Sequence, residues 1–227
     1  MIDLSLPWTE LPLSIVDFET TGVDPNQCKP VQIGVVRMEK RQVVGSCSTL
    51  LNPGCPIPEE AAAIHGKTDE MCASAPLAEA LQDVLASSDF RHLHQDALPC
   101  AYNEPYDRTI LRRFVNMQEW EVCRLTQWVD PLVIIRRVDR FVRGSGRHKL
   151  TTTCERHGVR LDNAHDALGD CMATGALLYK LLEEGKVSPD PAEVFLRKTA
   201  QARVQQDADF QRWLARQPPR QPESARG

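Results

Sequence analysis

The stretch that decides the fold is 13–22, which reads LSIVDFETTG. Its first half is apolar and β-branched, as in a buried strand, and two carboxylates follow. Because side chains alternate along a strand, Ile15 shares a face with Asp17 and Glu19. Phe18 points the other way, into the expected core. Adjacent carboxylates repel each other and resist desolvation, so this pattern indicates either a basic partner or a divalent cation.

Further strand-like runs surround this segment. Those at 31–38 and 42–51 follow it closely, and the short connections predict an antiparallel meander. A short fourth strand is expected at 98–102 and a fifth at 128–135, interrupted by Pro131. Helical periodicity predicts helices after Pro76 and Pro105 and over 149–157, 166–184 and 192–216. We therefore expect an α/β fold with a mixed five-stranded sheet, the meander first and parallel strands after it, flanked by helices.

Composition excludes several classes of protein. The 227 residues are 42% hydrophobic and 26% charged, with a formal net charge of −4. No apolar run approaches the ~18 residues of a membrane-spanning helix. The first 13 residues lack the basic and apolar regions of a secretory signal, and the eight cysteines form no CxxC pair. We expect reduced thiols and a cytoplasmic protein that does not enter membranes.

The pattern of apolar and polar residues changes near the end of the sequence. Gly185–Pro191 interrupts the helical periodicity, and the helix predicted beyond it is polar. We expect one domain over 1–187 and a polar helical extension over 188–227, with a disordered Pro-, Arg- and Gln-rich end.

Two more acidic segments follow predicted elements. Asp107 lies at the start of the helix after the fourth strand. His165 and Asp170 open the long helix over 166–184, and a five-residue offset is about 140° around a regular helix. The two side chains can converge only if His165 lies in the entry turn. That arrangement suits a metal ligand beside a mobile base better than it suits packing.

The three acidic segments together resemble a known family. Asp17-Phe-Glu-Thr-Thr-Gly22, Asn103-x-x-Tyr-Asp107 and His165-x-Ala-Leu-x-Asp170 are similar, in order and separation, to the exonuclease motifs of the DEDDh group. This group belongs to the DnaQ-like superfamily, with polymerase proofreading subunits, oligoribonuclease and RNase T. The resemblance covers about 11–184, and the histidine marks the histidine branch. Lesser matching features are Gln32-Ile-Gly34, Ile64-His-Gly66 and Asp130.

The resemblance implies an RNase H-like fold and two-metal hydrolysis of phosphodiester bonds from a 3′ end, releasing nucleoside 5′-monophosphates. Oxygen ligands suit Mg²⁺ or Mn²⁺. Histidine side chains ordinarily titrate near pH 6.5, so His165 is the implied general base. The implied ligands of the two divalent cations are Asp17, Glu19, Asp107 and Asp170.

The resemblance also implies a substrate and its contacts. We expect the 3′ end of a single nucleic-acid strand, with DNA favoured over RNA. The residues implied to hold the terminal nucleotide are Phe18, Thr20, Thr21, Gly22, Ile64, His65 and Asn103.

Alternatives remain open at this point. One is an exoribonuclease of the oligoribonuclease or RNase T type. Another is a nucleic-acid-binding or polymerase-tethered module without catalysis, against which the presence of all five catalytic residue types counts. The C-terminal extension could dock on the domain, mediate self-association or bind a polymerase-like partner.

Charge is segregated along the chain. Arg136–Arg160 contains eight Lys or Arg and two acids, a balance of +6, so the remainder carries −10. We expect a flexible loop after Val142 and hypothesise that its basic residues border the entering strand; the alternative is a solvated loop.

His92, His94 and Cys100 could supply three zinc ligands. No fourth ligand stands at a recognisable spacing, so a polar loop is the preferred interpretation.

Overall fold

The computed structural model describes residues 2–116 and 127–217. In this part of the chain, one mixed sheet has the strand order β3-β2-β1-β4. The first three strands form the predicted antiparallel meander, and β4 pairs with β1 in parallel. The strands are β1 (Leu13–Thr20), β2 (Pro30–Glu39), β3 (Gln42–Leu50) and β4 (Leu98–Cys100).

Helices flank this sheet, as the sequence predicts. Short 3₁₀ turns occur at Trp8–Glu10 and Ala78–Ala80. The helices are α1 (Glu59–His65), α2 (Asp69–Cys72), α3 (Leu81–Ala86), α4 (Ser88–His94), α5 (Glu104–Phe114), α6 (Pro131–Val138), α7 (Leu150–His157), α8 (Ala167–Glu183) and α9 (Ala192–Ala215).

The fifth strand predicted over 128–135 is wrong, and the described sheet has four strands. Val129 makes a single parallel bridge to Cys100, after which the chain turns into α6. The Asp130 side chain accepts a hydrogen bond from the Leu132 amide at 2.9 Å. Pro131 occupies the first helical position, where its missing N–H costs nothing. A short, continuous apolar run fits a buried strand and a buried helix equally well.

Helix α8 lies directly on the sheet. A Cβ atom added to Gly34 of β2 would lie 2.7 Å from the Ala167 carbonyl carbon, so only glycine allows this approach. Gly34 is also the register partner of Asp17 on β1. The first turn of α8 is therefore held beside the acidic end of β1.

Helix α9 packs on the domain through its first half. The Phe195 ring stacks on the Trp8 ring, with centroids 5.0 Å apart and an interplanar angle of 18°. Ala192, Phe195 and Leu196 belong to the same buried cluster as Leu13 and Ile15 of β1. Docking on the domain is thus one role that the extension has.

The boundary between 187 and 188 stays a prediction, and the end expected to be disordered, 218–227, lies outside the described residues. No helix within 2–116 or 127–217 combines the length and apolar composition needed to cross a bilayer.

Candidate active site

Strand β1 and helix α5 bring the first three acids together. Asp17 and Glu19 lie at the end of β1, where Glu19 is buried and Asp17 is half-buried. Asp107 is fully enclosed in the first turn of α5. The backbone N–H of Phe18 donates a hydrogen bond to Asp107 Oδ1 at 3.1 Å. This bond fixes Asp107 against β1 at the residue between the two strand acids.

The entry turn of α8 adds His165, and the first turn of the helix adds Asp170. One potential ligand atom from each of Glu19, His165 and Asp170 lies within 4.8 Å of the other two. His165 has a left-handed backbone, with φ of 65°, and its side chain is exposed. The histidine therefore lies in the entry turn and Asp170 inside the helix, the arrangement that the motif requires for convergence.

Burial and mutual repulsion raise the pKa values of all four carboxyl groups. Burial and the charge of Asp170 raise the pKa of Glu19 to about 7. Burial raises the pKa of Asp170 to about 6, although His165 acts to lower it. For Asp17 and Asp107, burial first and neighbouring acids second raise the pKa well above its usual range. The fold therefore concentrates negative charge that it does not neutralise.

This donor set fits a divalent cation. Asp170 Oδ1 is buried and accepts no hydrogen bond from the described protein. Carboxylate oxygens are the ligands that Mg²⁺ and Mn²⁺ prefer, and a cation would offset the repulsion between them.

Lys67 supports the site, and sequence reasoning missed it. Its Nζ donates to Asp166 Oδ1 at 3.2 Å and to the His165 carbonyl at 3.4 Å, while the residue is 8% exposed. Gln32 joins this network, because Nε2 donates to Asp166 Oδ1 at 2.9 Å and Oε1 accepts from the Ala167 amide at 3.2 Å. The network fixes the entry turn of α8. Lysine is rarely buried, so the sequence offered no indication of this role.

The implied substrate residues Thr20, at the end of β1, and Gly22, in the loop after it, are tied to α5. The Tyr106 hydroxyl donates to the Gly22 carbonyl at 2.6 Å and lies 2.5 Å from Thr20 Oγ1. Thr21 Oγ1 accepts from the Lys29 amide at 3.0 Å. The loop backbone is therefore held in one conformation beside the acids.

Other implied substrate residues differ in exposure. Ile64 of α1 is 56% exposed, whereas His65 is buried and its Nε2 lacks a hydrogen-bond partner in the described chain. His65 Nδ1 accepts from the Lys67 amide at 3.1 Å. The Phe18 side chain lies in the core beneath the sheet, so only its backbone reaches the acids.

Asn103 has a left-handed backbone that a buried ion pair holds in place. Its φ is 67°, and Asp130 accepts hydrogen bonds from the amides of Asn103 and Glu104, each at 3.0 Å. Arg203 of α9 pairs with the same carboxylate. Helix α9 thereby supports the loop that leads to Asp107, a contact between distant segments that the sequence pattern did not reveal.

A cleft of about 500 Å³ opens over these groups, lined by Asn103, His165, Asp170, Arg136 and Lys149 among others. The Tyr102 hydroxyl donates to the carbonyl of His148 at 2.6 Å, which anchors the basic loop at the cleft. The loop between α6 and α7 thus borders the same cleft as His165 and Asp170.

His92 and His94 lie on α4 and Cys100 lies on β4, so the polar loop that the sequence favoured for them is wrong. His94 Nε2 lies 3.0 Å from the Leu85 carbonyl, and His92 Nδ1 lies 2.9 Å from the Ser88 carbonyl. Among residues 2–116 and 127–217, the group of three or more acid, histidine or cysteine ligand atoms within 4.8 Å of one another is that of Glu19, His165 and Asp170, and Asp17 and Asp107 lie outside it.

Known proteins share this architecture. A DNA polymerase III subunit epsilon-like protein of Rhodobacter capsulatus is 33% identical over 182 residues, which cover 78% of this chain and 24% of the relative. The PolC-type DNA polymerase III of Bacillus subtilis is 25% identical over 171 residues, 75% of this chain and 11% of the relative. This chain therefore spans a quarter or less of these curated relatives.

Among solved structures, exonuclease X in complex with 5′-overhanging duplex DNA superposes with a TM-score of 0.59 at 25% identity, covering 81% of this chain and 99% of that one. The nuclease domain of 3′hExo, a DEDDh family member bound to rAMP, gives 0.60 at 15% identity over 77% and 92%, which supports the fold. The RNase T exonuclease family model matches residues 14–178. The chain belongs to the DnaQ-like exonuclease family.

Proposed function

We propose that this protein is a metal-dependent 3′→5′ exonuclease that releases nucleoside 5′-monophosphates from single-stranded DNA ends. The observation that carries this proposal is that Glu19, His165 and Asp170 bring one potential ligand atom each within 4.8 Å of one another, at the end of the strand that also carries Asp17. DNA is favoured because two similar proteins are described as a DNA polymerase III subunit and as a complex with DNA.

The acids Asp17, Glu19, Asp107 and Asp170 would hold two divalent cations. When bound, such cations make water a better nucleophile and offset charge on the attacking and leaving oxygens. The exposed imidazole of His165 would accept the proton of the attacking water, and its left-handed entry turn leaves the ring free to approach it.

Substrate binding would use the surroundings of the acids. The backbone of Thr20–Gly22, the exposed Ile64 side chain and Asn103 would position the terminal nucleotide. Arg136 and Lys149 line the cleft and would attract phosphates without reading sequence.

A direct test incubates single-stranded DNA and RNA of equal length with the protein in Mg²⁺, Mn²⁺ or EDTA. A 5′ label should give a descending ladder, and a 3′ label should appear at once as a nucleoside 5′-monophosphate. Cleavage in EDTA, or a 3′ label retained in long products, would contradict the proposal. Faster hydrolysis of RNA than of DNA would reassign the substrate.

A further inference from the structure

A furrow runs along the seam between α6 and α9 and opens into the active-site cleft. Arg136 lines both the cleft and the near part of the furrow, a depression of about 520 Å³. Arg137 and Lys198 line both this near part and a second depression of about 340 Å³, which ends at Lys186 and Asp190. Neighbouring depressions share lining residues and therefore adjoin one another, in a row that leads away from His165 and Asp170.

The near part of the furrow is lined by cations and amides. In the described part of the chain no carboxylate is among its lining side chains, which include Arg136, Arg137, Arg140, Lys198, Gln201 and Gln205.

The arginines of the furrow are uncompensated. Arg136, Arg137 and Arg140 are exposed, and none pairs with a carboxylate of residues 2–116 or 127–217. Lys198 does pair with Asp190, at 2.7 Å. In a chain of net charge −4, three arginines facing one groove without acidic partners indicate an anionic ligand.

Both walls of the furrow are fixed. Gln206 Nε2 donates to the Val133 carbonyl at 2.8 Å, and Arg203 pairs with the buried Asp130. Together with the packing of Phe195 on Trp8, these contacts hold α9 against α6. The furrow therefore exists before any ligand binds, which lowers the entropic cost of binding.

We propose that the furrow binds the phosphodiester backbone of the substrate strand upstream of its 3′-terminal nucleotide. This inference rests on the proposed exonuclease function and extends the substrate site beyond the cleft. Guanidinium groups pair well with phosphates, and glutamine amides donate to phosphate or sugar oxygens without reading sequence. Helix α9 lies outside residues 14–178, so this chain adds the furrow to its family domain.

The test compares two variants of equal charge. Arg137→Gln with Arg140→Gln alters the furrow, whereas Arg91→Gln with Arg197→Gln removes two exposed cations elsewhere. KM is measured for a 15-nucleotide single strand and for a trinucleotide at several salt concentrations.

Single strands give a salt slope of about 0.7 per phosphate contact, so the furrow variant should lose about 1.4 of the wild-type slope. Its KM for the 15-mer should rise roughly 20-fold at 0.1 M salt, with kcat and the trinucleotide KM unchanged. The control variant should behave as wild type for both substrates.

Equal salt slopes in the furrow and control variants would overturn the furrow proposal and leave the exonuclease proposal standing. If the wild type hydrolyses nothing, the exonuclease proposal fails, and the furrow is tested by fluorescence anisotropy of a labelled 15-mer in EDTA. Equal affinities of the furrow variant and wild type in that measurement would also overturn it.

Discussion

Two groups of clustered acids in this molecule differ in how they are compensated. The active-site acids have raised pKa values, and Asp170 Oδ1 has no hydrogen-bond partner among residues 2–116 and 127–217. A second group, the Asp139 network, consists of Asp139, Arg156, His157, Glu184 and Lys186.

Every acid of the Asp139 network has a cationic or histidine partner. Asp139 Oδ2 lies 2.7 Å from Arg156 Nε and 3.1 Å from His157 Nε2. Burial acts to raise the pKa of Asp139, but the hydrogen bonds from these two partners lower it overall. His157 Nδ1 lies 2.9 Å from Glu184, whose pKa is also lowered.

The comparison distinguishes structural acids from functional ones. A fold stabilises a half-buried carboxylate by giving it partners, as it does for Asp139. Leaving several acids together without partners costs stability, and proteins accept that cost at sites that bind a cation or perform chemistry. The predictions below separate the two groups by activity, by metal dependence and by pH.

The largest effect should come from Asp17→Asn. We expect hydrolysis to fall by about a thousandfold or more, since electrostatic stabilisation is usually the largest catalytic term. The metal-free variant should nevertheless unfold at a higher temperature than wild type, because one of four repelling charges is gone. Activity assays at saturating Mg²⁺ and calorimetry in EDTA measure the two effects. Near-normal activity of this variant would show that Asp17 is not a metal ligand.

His165 and His157 lie in different groups, one beside the active-site acids and one in the Asp139 network. His165→Ala should lower kcat by ~10²–10⁴, the usual contribution of a positioned general base, and should flatten the rise of rate with pH. His157→Ala should instead cost about 1–3 kcal/mol of unfolding free energy, because it removes one hydrogen-bond partner from Asp139 and one from Glu184.

Rate–pH profiles and urea titrations of both histidine variants separate the two roles. If the rate–pH profile of His165→Ala matches that of wild type, a group other than His165 accepts the proton of the attacking water. A loss of kcat in folded His157→Ala would contradict the assignment of a purely structural role to His157.

Sequence reasoning identified the elements that carry the chemistry more readily than the contacts that support them. Asp17 and Glu19 stand on a strand whose alternation is visible, and α8 has a long periodic pattern. The strand predicted at 128–135 failed because a short apolar run has no diagnostic period. Lys67 and Arg203 were missed because their partners, Asp166 and Asp130, lie 99 and 73 positions away along the chain.

The metal-free protein should lose stability as pH rises. The pKa of Glu19 is about 7 and that of Asp170 about 6 in the folded state, both above their unfolded values. Between pH 5 and 8 the folded state therefore binds more protons than the unfolded state, and raising the pH favours unfolding.

One pKa unit corresponds to about 1.4 kcal/mol, so we expect a loss on the order of 3 kcal/mol over this range. Urea titrations in EDTA measure it, and saturating Mg²⁺ should abolish most of the pH dependence. If the unfolding free energy depends equally on pH with and without metal, the titrating groups lie outside the metal site.

The smallest effect should come from Asp139→Asn, which removes one charge as Asp17→Asn does. At pH 7 it should cost about 2 kcal/mol, because the charge-assisted hydrogen bond from Arg156 and the contact with His157 Nε2 are weakened. The folded pKa of Asp139 is depressed, so its contribution is present above pH ~4 and is lost as the pH falls through that lower value. The difference between variant and wild type should therefore shrink towards pH 3, and kcat should not change. Urea midpoints at pH 7, 5 and 3 test this sign. A variant more stable than wild type at pH 7 would mean that Asp139, like Asp17, is an uncompensated charge, and the distinction between the two groups of acids would fail.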